Sequence, residues 1–277
     1  MSKQIDSHHH LWKYYPREYG WMKPEMALIQ RDFLPSDLLR EMQKADVDGT
    51  VLVHARQTLE ETDWILTLAE RHSFIRAAVG WVPLIDKHVE SHLETFAARQ
   101  KLKAVRHVLH DEPDDFYMLR ADFNAGIRLL PKFNLAYDLL IFEGHLPQTI
   151  QLVDQHPQVT FVVDHVAKPR IREHRLSPWK ENISELSRRE NVFCKLSGMV
   201  TEADWRNWGP EELRPYFGVV LEAFGPRRLM FGSDWPVLLV ASSYAAWADL
   251  VRDTISGLSQ GDKDWVMGET ATQVYKL

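Results

Sequence analysis

Near its start the chain runs Asp6-Ser7-His8-His9-His10-Leu11-Trp12. In an extended strand, side chains two residues apart point the same way. His8 and His10 therefore share one face and His9 takes the other. Two imidazoles side by side at a strand end chelate one metal ion when a third donor joins them. The competing reading is a pair of polar core residues satisfied by backbone groups. What lies further along the chain decides between the two.

Short apolar, β-branched or aromatic runs recur eight times: Gln4 to Trp12, Gly49 to His54, Ile75 to Val82, Leu102 to Leu109, Leu135 to Phe142, Val159 to His165, Asn191 to Gly198 and Arg228 to Asp234. Val51-Leu52-Val53, Leu139-Leu140-Ile141 and Phe161-Val162-Val163 are apolar on both faces, as strands of a covered parallel sheet are. Helix signals fill the gaps. Thr58-Leu59-Glu60-Glu61 reads as a capping box ahead of Trp64, Ile65, Leu68 and Ala69. Ser177-Pro178 reads as an N-cap with proline at the first helical position, and Pro210-Glu211-Glu212 opens a helix that stops near Gly225-Pro226. Eight strand–helix units over 277 residues predict a single (β/α)8 barrel occupying residues 1–277. An open doubly wound sheet is the alternative, but no GxGxxG, GxxxxGK[ST] or GxSxG motif is present to mark one.

In such a barrel the chemistry sits at the C-terminal strand ends. The sixth strand ends Val163-Asp164-His165 and the eighth ends Phe231-Gly232-Ser233-Asp234-Trp235-Pro236. Ionisable groups are costly to bury alone, so His8, His10, His165 and Asp234 converging on one rim point to a site. Arg106 and His107 on the fourth strand, His54 on the second, and Tyr137 and Asp138 on the fifth are further candidates, with Lys195 on the seventh. Arg106 either pairs with a substrate oxygen or makes a salt bridge within the barrel. Trp12, Trp21, Trp81 and Trp235 lie in or near strand ends, where flat aromatic faces line ligand pockets. The irregular stretch Tyr14 to Ser36 reads either as a lid or substrate wall or as a packed surface loop.

These segments resemble the amidohydrolase superfamily. Asp6 to Trp12, Val105-Arg106-His107-Val108, Asp164-His165 with Lys168-Pro169, Lys195 to Gly198, Thr201 to Trp205 and Met230 to Val237 are similar to its sugar-lactonase branch, which includes L-fuconolactonases and L-rhamnonolactonases. The resemblance covers nearly the whole chain. It implies a (β/α)8 barrel that opens an aldonolactone with water, L-fucono-1,5-lactone or a close L-sugar lactone being the expected substrate. It implies Asp234, His165 and Arg106 as catalytic residues, with His8, His10, His165 and Asp234 as ligands of one divalent metal, zinc, that is not required for activity. Trp12, His54, His107, Tyr137 and Trp235 are the expected substrate contacts. Two-metal members carry a bridging lysine or glutamate on the fourth strand and a histidine on the fifth, where this chain has Arg106-His107 and Tyr137-Asp138. A two-metal centre is therefore not expected. The alternatives are a zinc-dependent decarboxylase of the same superfamily and a non-catalytic sugar-binding barrel.

Bulk properties exclude other classes. Apolar residues make up 45% and charged residues 26%, which is the make-up of a globular enzyme rather than a disordered chain. A net charge of -6 argues against a nucleic-acid partner. No apolar run reaches the ~20 residues of a membrane span, and no signal core follows Met1-Ser2-Lys3-Gln4. The single cysteine, Cys194, lies in an apolar run and reads as a buried hydrophobe. A cytoplasmic enzyme acting on a small molecule is the expectation.

Overall fold

The computed structural model describes residues 2–277. Eight strands form one sheet in sequence order: β1 (Ile5–His9), β2 (Gly49–Val53), β3 (Ile75–Gly80), β4 (Leu102–Val108), β5 (Ala136–Leu140), β6 (Phe161–Val163), β7 (Val192–Leu196) and β8 (Leu229–Phe231). Every adjacent pair is parallel. A helix follows each strand: α1 (Pro35–Lys44), α2 (Leu59–Arg71), α3 (Val89–Ala97), α4 (Ala121–Ile127), α5 (Leu146–Gln155), α6 (Trp179–Leu186), α7 (Pro210–Phe224) and α8 (Tyr244–Thr254). The sheet closes where His9 bridges Trp235 in parallel, with the His10 amide donating to the Trp235 carbonyl at 2.6 Å and the Asp234 amide to the His8 carbonyl at 2.7 Å. This is the expected (β/α)8 barrel. All eight expected strands form, and each stops one to three residues short of its expected C-terminal end. There the backbone turns irregular to present side chains to the mouth.

Two buried clusters follow from strand alternation. Val51, Val53, Ala77, Val79, Ala104, Ala136, Val162, Phe193 and Met230 fill the barrel with Ile5. The terminal helix α10 (Thr270–Tyr275), reached through α9 (Gln260–Asp264), packs Ala271, Val274 and Tyr275 onto the same cluster. The opposite strand faces, with Leu52, Tyr137, Leu139, Phe161 and Cys194, pack on the helices.

Some local expectations need correction. Thr58 does cap α2, its Oγ1 accepting from the Glu61 amide at 3.0 Å. The reciprocal half of the box is absent, because the Glu61 carboxylate turns instead to the Ala55 amide and the Arg56 guanidinium, each at 2.9 Å. Helix α6 begins at Trp179, with Pro178 rather than Ser177 at the cap. The Tyr14–Ser36 stretch is packed: Tyr19, Met22, Met26, Ile29 and Phe33 are buried, and a 3-10 turn spans Pro24–Ile29. No helix among the described residues is long and apolar enough to cross a membrane.

Candidate active site

A bulge in β1 turns His8 and His10 inward. Asp6 pairs with Thr50 and His9 with Leu52, so Ser7 and His8 together oppose Val51. The extra residue lets both Ile5 and His8 face inward, three positions apart. His10 follows on the same face, and His9 points outward, as alternation requires. On the far side of the closure, Asp6 fixes β8. Its carboxylate accepts from the Ser233 amide (2.8 Å), the Ser233 hydroxyl (2.6 Å) and the Tyr244 hydroxyl (3.0 Å). Burial still pushes the Asp6 carboxyl up to about 6.

Two strained turns complete the site. His165, Val166, Ala167 and Lys168 all have positive φ, as does Asp234 at +58°. Such backbone is unfavourable for residues with a Cβ and persists only where the surroundings enforce it. After β6 the left-handed turn lets two successive residues, Asp164 and His165, serve the interior. His165 Nδ1 lies 2.8 Å from Ser197 Oγ. Gly198, at φ +62°, makes room: a Cβ there would lie 2.5 Å from His165 Nδ1.

The four groups meet. Asp234 Oδ1 lies 3.5 Å from His10 Nε2, 3.8 Å from His8 Nε2 and 3.9 Å from His165 Nε2. Asp234, His10 and His165 keep side-chain exposures of 6%, 8% and 5%, whereas His8 is fully buried beneath them. Burial drives His8 well below the usual imidazole range and His165 down to about 4, so both rings are neutral near pH 7. Burial alone would raise the Asp234 carboxyl, but His165, His10 and Lys168 together hold it below its ordinary value. An ionised carboxylate beside neutral imidazoles suits both a general base and a set of metal ligands.

Below them lies a layer of four buried charges. Lys195 Nζ donates to Asp138 Oδ2 at 2.5 Å and pairs with Asp164 Oδ1 at 2.9 Å. Arg106 donates to Asp164 Oδ2 at 3.0 Å and to the His54 carbonyl at 2.6 Å. The Tyr275 hydroxyl donates from below to Asp138, within 3.1 Å. Two cations and two anions cancel, which makes the burial tolerable. Arg106, Asp138 and Lys195 were candidates in the sequence, but no role followed from it for Asp138, Lys195 or Asp164. The available signal was one ionisable residue near the end of each of four consecutive strands, on the inward parity.

The expected substrate contacts separate. Trp12, His54 and Tyr137 are wholly inaccessible, which corrects their expected role. Trp12 backs His10, ring centroids 6.4 Å apart, and bonds the Arg31 carbonyl. His54 sits behind Arg106, whose Nε approaches His54 Nε2 at 3.3 Å. Tyr137 has the outward parity of β5 and packs on Phe123 and Phe161. His107 is also outward on β4, held by Glu112 at 2.6 Å and by Trp81 at 3.2 Å. The Trp235 ring packs edge-on against Phe33 at 5.1 Å, and its backbone closes the barrel. These aromatic and imidazole groups brace the site.

The donor set suits one divalent ion. His8, His10 and Asp234 each offer an atom within 4.8 Å of the others. His8, Asp164 and His165 lie equally close together, but Asp164 is already paired with Lys195 and Arg106. The first set is therefore the better ligand group.

A family model described as Amidohydrolase matches residues 5–277. The chain belongs to the amidohydrolase family. This amidohydrolase is 37% identical to an L-fucono-1,5-lactonase of Burkholderia multivorans, over 99% of this chain and 96% of that one. It is also similar to the crystal structure of an amidohydrolase from Burkholderia multivorans with bound Zn, with TM-score 0.94, 38% identity and full coverage of both chains. A 5-carboxyvanillate decarboxylase from Sphingomonas paucimobilis shares the fold, with TM-score 0.69, at only 15% identity.

Proposed function

We propose that this amidohydrolase hydrolyses an aldonolactone, L-fucono-1,5-lactone or a close L-sugar lactone, with Asp234 as general base. The observation that carries the reading is one carboxylate oxygen lying 3.5 to 3.9 Å from three imidazole nitrogens at the barrel mouth. Full-length identity to a lactonase supports the choice of substrate, whereas the decarboxylase likeness is one of fold alone.

Asp234 takes a proton from water as the water oxygen bonds to the lactone carbonyl carbon. The carbonyl oxygen gains the displaced electron pair and is stabilised by imidazole N–H groups, with positive potential from Arg106, whose Nη1 lies 3.5 Å from His8 Nε2. The oxyanion collapses, the bond from the carbonyl carbon to the ring oxygen breaks, and protonated Asp234 returns its proton to that oxygen. The product is an open-chain hydroxy acid. A divalent ion held by His8, His10 and Asp234, with His165 beside them, supplies Lewis acidity toward the carbonyl oxygen when bound. We take zinc to be bound but dispensable, because the neutral imidazoles and Arg106 already provide donors.

Ring opening releases acid, so a pH-indicator screen of fucono, rhamnono, galactono and arabinono lactones, in both hands and ring sizes, tests the reading. Acidification well above the spontaneous rate for an L-sugar lactone is expected. Saturable binding with no acceleration would instead indicate a sugar-binding barrel.

A further inference from the structure

Lys195 is fully buried on β7, and its ammonium has three protons to place. Three acceptors surround it: Asp138 Oδ2 at 2.5 Å, Asp164 Oδ1 at 2.9 Å and His8 Nδ1 at 3.1 Å. A full set of bonds requires that His8 Nδ1 carry no proton. The His8 proton then sits on Nε2, 3.2 Å from His10 Nε2. His10 Nδ1 faces the Val53 carbonyl at 2.8 Å, and a carbonyl only accepts. In a neutral His10 ring, Nε2 is therefore a free lone pair that receives the His8 proton. This assignment satisfies the chain from Tyr275 through Asp138, Lys195, His8 and His10 to Val53; it leaves Arg106 Nη1, 3.5 Å from His8 Nε2, to donate to Asp164 Oδ2 at 3.0 Å, and sets the His10 Nε2 lone pair 3.5 Å from Asp234 Oδ1. With the proton on His8 Nδ1, facing Asp164 Oδ1 at 3.3 Å, Lys195 loses an acceptor and two lone pairs oppose each other across 3.2 Å.

A metal ion needs the lone pair of His8 Nε2, the atom that this network protonates. We infer that Lys195 is a positioning residue that holds the His8 proton on Nε2, so that metal capture by His8, His10 and Asp234 works against the Lys195–His8 hydrogen bond. The consequence is a zinc affinity weaker than the ligand set alone would give. Outer-shell partners change metal affinity by about 10–100-fold, which sets the expected scale. The inference rests on the metal-site reading for its affinity arm alone.

Histidine-labelled, metal-free protein tests it by two-bond 1H–15N correlation, with His8 assigned by comparison with His8→Gln. The wild type is expected to show His8 protonated at Nε2. In Lys195→Met the proton moves to Nδ1, toward Asp164, and zinc binds on the order of tenfold tighter by chelator competition. Tighter zinc with the His8 proton still on Nε2 would overturn the inference, because loss of a nearby positive charge alone would then account for the affinity. A wild-type His8 protonated at Nδ1 overturns the inference, as does a folded Lys195→Met whose zinc affinity is unchanged or weaker. Should Lys195→Met fail to fold, Lys195→Met with Asp138→Asn restores charge balance, and the wild-type spectrum decides on its own. If the wild type takes up no zinc, the metal-site reading fails while the ring spectrum still decides the tautomer.

Discussion

Adding one methyl group at Gly198 should disable the site without touching a reacting atom. At φ +62° an alanine sits in left-handed backbone, at about 1–2 kcal/mol. Its Cβ would also meet His165 Nδ1 at 2.5 Å, Cγ at 2.6 Å and Cβ at 2.8 Å, so the ring has to move. Movement breaks the 2.8 Å contact with Ser197 Oγ, worth about 1 kcal/mol. Together these give a loss of roughly 2–3 kcal/mol, or on the order of 3–5 °C in melting temperature for a chain this size. Displacing a catalytic group by about 1 Å lowers rates about 100-fold, so kcat/KM for lactone opening should fall by that order. Gly225 provides the control. It has φ +65° but open space around a Cβ, so Gly225→Ala should lower the melting temperature while leaving the lactone rate intact. Thermal unfolding and initial rates on both variants decide the matter. A Gly198→Ala enzyme with wild-type rate would refute the claim that His165 is held in place by close packing against that glycine.

Tyr137 is buried against the helices and its hydroxyl finds no partner among the described residues. Tyr137→Phe should therefore leave kcat/KM unchanged and raise stability by up to about 1 kcal/mol in denaturant titrations, whereas a fall in activity would restore Tyr137 as a substrate contact. His165 is buried neutral with its pKa near 4, against 6.5 when exposed, so the unfolded chain binds more protons between these values. Stability should accordingly be full above pH 6.5 and fall by up to about 3 kcal/mol on acidification toward pH 4. Chemical denaturation at stepped pH measures it, and His165→Asn should flatten the slope; an equally steep profile in that variant would assign the effect to other groups. Exhaustive chelation should leave most of the lactone rate, and complete loss that zinc alone restores would overturn the view of the metal as dispensable.

The barrel was legible because several strands are buried on both faces and so read as plain apolar runs, as at Val51-Leu52-Val53. The convergence of His8, His10, His165 and Asp234 was legible because apolar runs that end in ionisable groups have few structural explanations. Other features depend on geometry that spacing does not encode. The alternation rule put His8 and His10 together but gave no hint that a bulge is needed to turn them inward with Ile5. Nothing in Asp164-His165-Val166-Ala167-Lys168 advertises four consecutive residues with positive φ, since none is glycine. The helix-facing parity of Tyr137 and His107 was not legible, because aromatic and imidazole side chains at strand ends suit a pocket wall and a helix-facing core equally well. Their outward parity emerges only once Ala104 and Ala136 are seen to face the barrel axis. The Lys195–Asp138–Tyr275 chain joins β7, β5 and the last helix, contacts that no local pattern foretells.

The assignment of Asp234 as the base that activates water is tested most directly by measuring lactone opening with Asp234→Asn. The amide keeps the shape and loses the proton acceptor, so the rate should drop by about 100–10,000-fold while circular dichroism stays that of the wild type. A folded Asp234→Asn enzyme that retains the wild-type rate would contradict the account, because some other group would then be deprotonating the water.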